Sequence, residues 1–447
     1  MTTIYGKINY KAVAVALMLS LPVAVFAQKW TLDQCIDHAI QNNLNLQQRA
    51  LEISQRDVQL NTSRNGYLPE VNAQFGEQIS FGNYNATTGS MNPGTSTVSR
   101  DLSYTTMGVN ASVTLFDGFN VKNSIKADRF SLEAAAANLE QARKDIGIQV
   151  SVQYLQCLYY KGLVDVARSQ VEVCQQLLDR ARIMVEKGKR PMSEQKEFEA
   201  SLASDQFALV EAESNYTLAL LTLTQLLNLP SSQGFDICEV ESTGSIVPSA
   251  EAVFEDAQNT WPAINAAKSL IEEGKYRVEI ARSAYYPKLL LSGSVKSFYV
   301  NMFHQNLKIG GFGKQMFDKN LNEVLGLHLT VPVFNRFQTR NSIRKAKIDL
   351  QGRQIALEEH KQKLQKEIQT ACANAIVAQN KEVSAARALD AAQESFNYEQ
   401  ARYESGRGNT FDLQQSRQKC VKAKQDAIQA KYEYIIRQRI LQFYLQQ

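Results

Sequence analysis

The sequence predicts a mixed α and β membrane protein in which one unit, a pair of β-strands followed by two long helices, occurs twice. Three observations lead to this fold class. The second half of the chain repeats the first at a constant offset, two segments in each half alternate between apolar and polar residues, and the segments that follow them carry a heptad pattern. The 447 residues include only 9 Pro and 22 Gly, which leaves few turns and favours long regular elements.

The repeat emerges when the sequence is aligned with itself, without a gap, at an offset of 218 residues. Identical pairs at this offset include Ala39 and Ala257, Arg64 and Arg282, Pro69 and Pro287, Phe116 and Phe334, Gly188 and Gly406, and Tyr216 and Tyr434. One offset held over so many positions indicates a tandem duplication. We expect a first structural repeat over residues 28–247, including a linker at its end, and a second over residues 248–447.

Residues 1–27 are predicted to be a signal peptide. Lys7 and Lys11 precede an apolar run, and Val25-Phe26-Ala27 offers a cleavage site before Gln28. The alternative is an N-terminal membrane anchor, but the apolar run is shorter than the ~20 residues that a spanning helix needs. The chain is therefore expected to be exported.

Four segments have the period-two pattern of β-strands. They cover residues 67–81 and 102–116 in the first repeat and residues 287–300 and 323–334 in the second. Each has about 11 alternating residues, the length of a tilted transmembrane strand. A half-buried sheet in a soluble sandwich would show the same alternation. The connections 82–102 and 301–322 are rich in polar and small residues and are expected to be long loops.

The alternation also predicts which side chains face lipid. Odd-numbered residues such as Phe75, Val109 and Leu327 should face lipid, and even-numbered residues such as Gln74 and Asn110 the lumen. Four strands cannot close a transmembrane barrel, so the chain must assemble. Two copies would give eight strands and three would give twelve, and the polar lumen favours the trimeric twelve-stranded barrel.

The remaining segments are predicted to be helical. Residues 31–65 form a helix before the first strand pair, and residues 119–187 and 337–405 are long helices without proline. Ile125, Leu132, Leu139 and Ile146 recur every seven residues in the first long helix, and Ile343, Leu350, Leu357 and Leu364 do so in the second. Each long helix is expected to end at a glycine, Gly188 or Gly406, and to be followed by a return helix, 192–228 or 410–445.

An enzyme is not predicted. The four histidines are scattered over different elements without metal-ligand spacing, so we expect no catalytic site, metal site or cofactor. The six cysteines do not resemble a disulfide framework and are interpreted as buried single thiols. With 49 Lys plus Arg against 45 Asp plus Glu, the charge balance points to no nucleic acid partner.

The whole layout resembles the TolC-like outer-membrane efflux proteins, also called outer membrane factors. The motifs that carry the resemblance are Gly188-x5-Glu194 and Gly406-x5-Asp412, the latter preceded by Tyr403. The resemblance implies a trimer whose outer-membrane barrel continues into a periplasmic tunnel of twelve helices, the α-barrel. It also implies export of small molecules or proteins with a periplasmic adaptor protein and an inner-membrane pump. The alternative function is a soluble periplasmic coiled-coil adaptor or scaffold.

The same resemblance implies a periplasmic gate. Tyr403 and Glu194 occupy the positions of the tyrosine and the acid that hold the family's tunnel shut. The family pattern also has an arginine two residues after the second tip glycine, where this chain has Gly408. Arg190 or Arg407 would have to substitute for that arginine, or the link is absent.

Two further roles come from the resemblance. Asp412 corresponds to the first acid of a selectivity ring near the mouth, whereas the second position holds Gln415. The hairpin tips at Gly188 and Gly406 would dock the adaptor. A simpler interpretation treats Glu194 and Asp412 as acids in the first turn of a helix, which the helix dipole stabilises by ~0.3 to 1 kcal/mol.

Overall fold

Two helical hairpins and a four-stranded sheet make up most of the protein. The computed structural model describes residues 29–445 except 82, 87–95, 100, 231–233, 241–247 and 304–309, so the predicted signal peptide lies outside the described residues. The elements are β1 (Lys29–Trp30), α1 (Leu32–Asn42), α2 (Leu44–Asn65), β2 (Glu70–Ser80), β3 (Asn83–Ala86), β4 (Ser96–Ser99), β5 (Leu102–Phe116), α3 (Asn120–Glu186), α4 (Met192–Leu226), β6 (Asp236–Ile237), α5 (Ala250–Thr260), α6 (Pro262–Ser283), β7 (Lys288–Met302), a π-helical turn (Lys314–Lys319), β8 (Asn322–Thr330), α7 (Gln338–Glu404) and α8 (Thr410–Leu445).

Contacts divide the chain into two units. The sheet unit comprises Arg49–Glu140 and Asn259–Lys363, and therefore contains the strand pairs of both repeats. The tip unit comprises the described parts of residues 1–48, 141–258 and 364–447. Each unit draws on both repeats, as expected if the duplicated halves pack side by side.

The sheet has the strand order β2-β5-β7-β8, and all neighbours are antiparallel. Its register places Ala73 opposite Val109 and Val109 opposite Val295. Side chains alternate along a strand, so the odd-numbered residues of the four strands share one face, apart from a register shift between Thr114 and Phe116. The predicted alternation thus describes one continuous face.

The last strand is shorter than the sequence predicts. β8 ends at Thr330, whereas the predicted strand continues to residue 334. Pro332 explains the difference, because proline has no backbone N–H to donate to a ladder. The alternating Val331 and Val333 therefore lie outside the sheet.

Part of the predicted loop 301–322 is ordered on the sheet. The side-chain amide of Gln315 pairs with both backbone groups of Val300, accepting from its N at 3.0 Å and donating to its O at 3.1 Å. The hydroxyl of Ser297 donates to the carbonyl of Met316, which is fully buried. The π-helical turn thus forms hydrogen bonds with β7 beyond Lys296, which is the last residue of β7 that pairs with β8.

The helix predicted over residues 31–65 is divided in two. Asn43, which lies between α1 and α2, is extended, and its side-chain oxygen accepts from the backbone N of Asn45 at 2.9 Å. The equivalent break in the second repeat falls at Trp261, at the same offset of 218 residues and directly before Pro262. The duplication therefore preserved the break, although the residues that cause it differ.

The long helices α3 and α7 each contain 67 residues. Heptad residues such as Leu139, Ile146 and Leu364 are buried, and Ile125 and Leu350 are half-buried. Among the described residues, no helix carries an apolar stretch long enough to cross a membrane.

A charged network fixes the helices of the sheet unit. Asp128 in α3 and Glu273 in α6 are buried, and Arg277 donates to them at 3.4 and 3.1 Å respectively. Arg353 in α7 donates to Glu273 at 2.7 Å, and the hydroxyl of Ser63 in α2 donates to Asp128. Four helices are thus joined through two acids and two arginines.

All six cysteines are free thiols, and five of them are buried. Within the described part of the chain, no group of three or more His, Cys, Asp or Glu could hold a metal ion.

Candidate functional site at the hairpin tips

Each helical hairpin turns at a glycine with positive φ. Gly188 (φ +67°) joins α3 to α4, and Gly406 (φ +74°) joins α7 to α8. The next residues close the turns, with Lys189 N donating to Met184 O at 2.9 Å and Arg407 N to Arg402 O at 3.0 Å. Glycine adopts this backbone conformation without steric cost, so both long helices end where the sequence predicts.

A polar cluster joins the two tips. Tyr403 in the last turn of α7 donates its hydroxyl to Glu194 Oε2 at 3.2 Å. Arg190, in the turn before α4, donates from Nη1 to Glu194 Oε1 at 3.2 Å, and its guanidinium lies 5.0 Å from the centroid of the Tyr403 ring. The structure therefore brings together three of the four residues that the resemblance assigns to the gate.

Burial strengthens this cluster. Tyr403 is only 4% exposed, and burial, followed by the negative charge of Glu194, raises its pKa to about 12. The phenol is thus protonated at physiological pH and remains a donor to Glu194. The Arg190 and Glu194 side chains are 19% and 13% exposed, so their ion pair is better shielded from solvent than an ordinary surface pair.

Gly408 explains why an arginine of the first hairpin takes part. A Cβ atom at this position would lie 2.9 Å from Tyr403 N and 3.1 Å from Tyr403 Cα, so the backbone leaves no room for a side chain. Arg190 Nη2 instead donates to the Gly408 carbonyl at 3.1 Å. Arg407 contributes only its backbone N–H to the contacts of the described tip. The geometry therefore favours Arg190 over Arg407 as the substitute arginine.

Apolar side chains from both hairpins pack behind the polar cluster. The Phe198 and Tyr403 rings lie 6.0 Å apart in an edge-on arrangement. The other members of this buried group are Leu177, Leu178, Ala181, Phe396, Leu413 and Cys420. Because α3, α4, α7 and α8 all contribute, separating the hairpins would expose this group to water.

Asp412 has a local role in the tip. It lies in the first turn of α8, where its backbone N donates to Asn409 Oδ1 at 2.7 Å and its carboxylate accepts from Asn409 Nδ2 at 2.9 Å. This reciprocal pair caps the helix. Gln415, at the second ring position, is exposed.

Replacing Gly408 with Ala is expected to loosen the tip. The new Cβ would press on the Tyr403 backbone, which should cost about 1 to 3 kcal/mol of unfolding free energy. Gly352→Ala is a matched control, because that helical position has open space and alanine is the better helix former. Thermal unfolding of both variants in detergent tests this expectation, and equal stabilities would contradict the close contact.

Two pairs of strands in one antiparallel sheet, each pair followed by a long helical hairpin, form the fold of solved outer-membrane channels. The outer membrane channel CmeC of Campylobacter jejuni has this fold, with a TM-score of 0.78 over 92% of this chain and 85% of that one at 16% sequence identity. The open state of the MtrE outer membrane channel of Neisseria gonorrhoeae gives a TM-score of 0.73 over 93% and 88% of the two chains, at 20% identity.

The chain belongs to the outer membrane efflux protein family, whose sequence profile matches residues 35–229 and 253–445. It is 22% identical over 435 residues to the outer membrane efflux protein BepC of Brucella suis biovar 1 (strain 1330), covering 95% of this chain and 87% of that protein. It is 20% identical over 413 residues to nodulation protein T of Rhizobium leguminosarum bv. viciae, covering 92% and 80%.

Family membership confirms the resemblance and the fold class predicted from the sequence. The profile matches the chain in two segments, one in each predicted repeat. It also confirms the predicted location, the outer membrane of a Gram-negative bacterium with an extension into the periplasm. The family consists of channel-forming efflux proteins, which the alternative of a soluble periplasmic scaffold does not fit.

Proposed function

We propose that the protein forms a homotrimeric outer-membrane channel that exports small molecules or proteins with a periplasmic adaptor and an inner-membrane pump. The observation that carries the proposal is the open sheet. β2 and β8 are its outer strands, and within the described chain each pairs on one side only. Unpaired backbone groups are very costly in lipid, so β8 of one copy must pair with β2 of the next until the sheet closes.

The odd-numbered face of the sheet supports a position in lipid. Phe75, Leu325 and Leu327 are 74%, 80% and 63% exposed in the single chain. Exposed apolar side chains on both outer strands of one sheet face support an apolar environment for that face. In an outer-membrane barrel, the apolar face of the sheet contacts lipid and the polar face lines the lumen.

A stripe on α7 supports assembly from several copies. Ile348, Ile355, Ile376 and Val383 are exposed by 65%, 61%, 49% and 45%, and they are separated by seven residues or a multiple of seven. Such spacing places apolar side chains along one side of a helix that packs on another helix. A second copy of the chain would cover this stripe.

The tip contacts support a gate at the periplasmic end. Tyr403, Glu194 and Arg190 hold the two hairpins of one chain together and close the periplasmic end at rest. Opening would separate these groups, and the adaptor, docking at the tips around Gly188 and Gly406, would stabilise the open arrangement.

Mass measurement of the purified protein in detergent tests the assembly, and recording in a planar bilayer tests conduction. We expect about three times the mass of one chain and a small resting conductance, because the gate is closed. A monomer, or a dimer with eight strands, would rule out the twelve-stranded channel.

Asp412→Asn is expected to reduce cation selectivity and block by multivalent cations. Three copies of Asp412 around the mouth would form a ring of carboxylates, a common source of cation preference. The ion selectivity of the channel, measured from reversal potentials in salt gradients, tests this role. Asp390→Asn, an exposed acid within α7, is the control. Equal selectivity in both variants would leave Asp412 as a helix cap.

A further inference from the structure

A buried arginine joins the two hairpins at a second place. Arg417 of α8 has a side chain that is only 4% exposed, and its Nη1 lies 2.6 Å from Asp205 Oδ2 in α4. The side chain of Asp205 is 16% exposed. A pair this well buried differs from a surface ion pair, because removing one partner leaves a desolvated charge behind.

The rest of the guanidinium is also bonded. Its Nη2 donates to the hydroxyl of Ser201, one turn before Asp205 in α4, and its Nε donates to Gln414 Oε1 at 3.0 Å. The side-chain amide of Gln170 in α3 is oriented with its oxygen toward Arg417, and this oxygen accepts from Nε at 3.2 Å. One side chain of the second hairpin is therefore held by both helices of the first.

This contact is separate from the tip cluster. Leu413 and Phe198, members of the buried apolar group, lie one helical turn before Arg417 and Ser201 on the same helices. Arg417 thus follows a layer of apolar side chains that pack behind Tyr403.

The ion pair lies beside a cleft between α3, α4 and α8. Arg417 and Asp205 line a cleft of about 700 Å³, which also includes Glu197, Ser204, Gln418, Lys422, Gln425 and Asp426. Separation of α8 from α4 would bring both charges fully into contact with the water of this polar cleft. Loss of one partner of the ion pair therefore destabilises the packed arrangement of the hairpins but not the separated one.

We propose that Arg417 and Asp205 form a latch that holds α8 against α4 and stabilises the closed arrangement of the hairpins, a role in gating that rests on the proposed channel function. The latch occurs once per chain, because the duplication places Glu199 at the position equivalent to Arg417 and Ala423 at the position equivalent to Asp205. It is thus not a general feature of the repeated unit.

Hydrogen exchange of the full-length protein in detergent tests the latch independently of conduction. Arg417→Met leaves Asp205 unpaired, so amide exchange in residues 192–210 and 410–420 should accelerate by roughly tenfold or more. Arg417→Met combined with Asp205→Leu removes both charges and should return exchange close to that of the unmodified protein. If Arg417→Met does not assemble, Ser201→Ala, which removes one acceptor only, should give a smaller acceleration.

Arg180→Met is the control, because Arg180 pairs with Glu404 across the hairpins with a side chain that is 49% exposed. The latch is overturned if the Arg417 variant exchanges no faster than this control, or if the double variant exchanges as fast as Arg417→Met. In planar bilayers, Arg417→Met should raise the open fraction and the double variant should restore it. If hydrogen exchange changes as expected in these variants but the protein does not conduct, the channel function is refuted while the contact between the hairpins stays established.

Discussion

Arg190→Ala is expected to raise the conductance of the channel in planar bilayers. The substitution removes the charged donor to Glu194, the bond to the Gly408 carbonyl and the guanidinium next to the Tyr403 ring. A hydrogen bond to a charged group contributes about 1.5 to 3 kcal/mol. Loss of one such contact in the closed state would shift the open population by roughly 10-fold or more.

Arg407→Ala is the matched control for this experiment. It removes the same charge from the neighbouring tip, but its side chain makes none of the contacts found in the described tip. Tyr403→Phe combined with Glu194→Gln should raise conductance as Arg190→Ala does, because it breaks the same cluster from the other side. Equal increases from the two arginine variants would show that net charge matters and not this geometry. No increase in any of them would place the gate elsewhere in the hairpins.

Val109→Arg is expected to impair assembly, whereas Asn110→Arg should mainly change conductance. The two residues are neighbours in β5, but the register places Val109 among the odd-numbered apolar residues and Asn110 opposite Asn72 and Ser294. An arginine that faces lipid near the midplane costs about 2 to 4 kcal/mol, and one that faces a polar lumen does not.

The yield of assembled protein and its unfolding in detergent measure the difference between these variants. Because the introduced residue is the same and the positions are adjacent in β5, the two variants differ mainly in the face of the sheet that carries the arginine. The opposite outcome, with Asn110→Arg as the damaging variant, would mean that the odd-numbered face lines the lumen and that the predicted facing is off by one residue.

Much of the fold could be predicted because its signals are periodic or repeated. The duplication, the strand alternation and the heptads are each read over tens of residues, so single exceptions do not hide them. The ends and breaks of elements depend on single residues, such as Asn43 and Pro332, whose effects compete with the surrounding pattern. The π-helical turn was missed because it depends on the side chain of Gln315 pairing with Val300.

The tip site could be predicted only in part. Gly188 and Gly406 predict the turns, and the resemblance to the family assigns Tyr403 and Glu194 to the gate. The preference for Arg190 over Arg407 requires the backbone position at Gly408, which no local pattern reveals. Arg417 and Asp205 lie 212 residues apart in the chain, so their pairing depends on how the hairpins pack.

The charged network in the sheet unit shows that the two repeats are no longer interchangeable. Asp128 belongs to the first repeat, whereas Glu273, Arg277 and Arg353 belong to the second. The positions equivalent to these four residues hold Ala346, Gln55, Gln59 and Ala135, none of which is charged. A chain built from two copies of the first repeat would bury two aspartates without arginines. In a chain built from two copies of the second repeat, alanine would take the place of Asp128, and Arg277 would lose one of its two acidic partners. After duplication, each half came to supply what the other lacks, so neither half can now replace its neighbour.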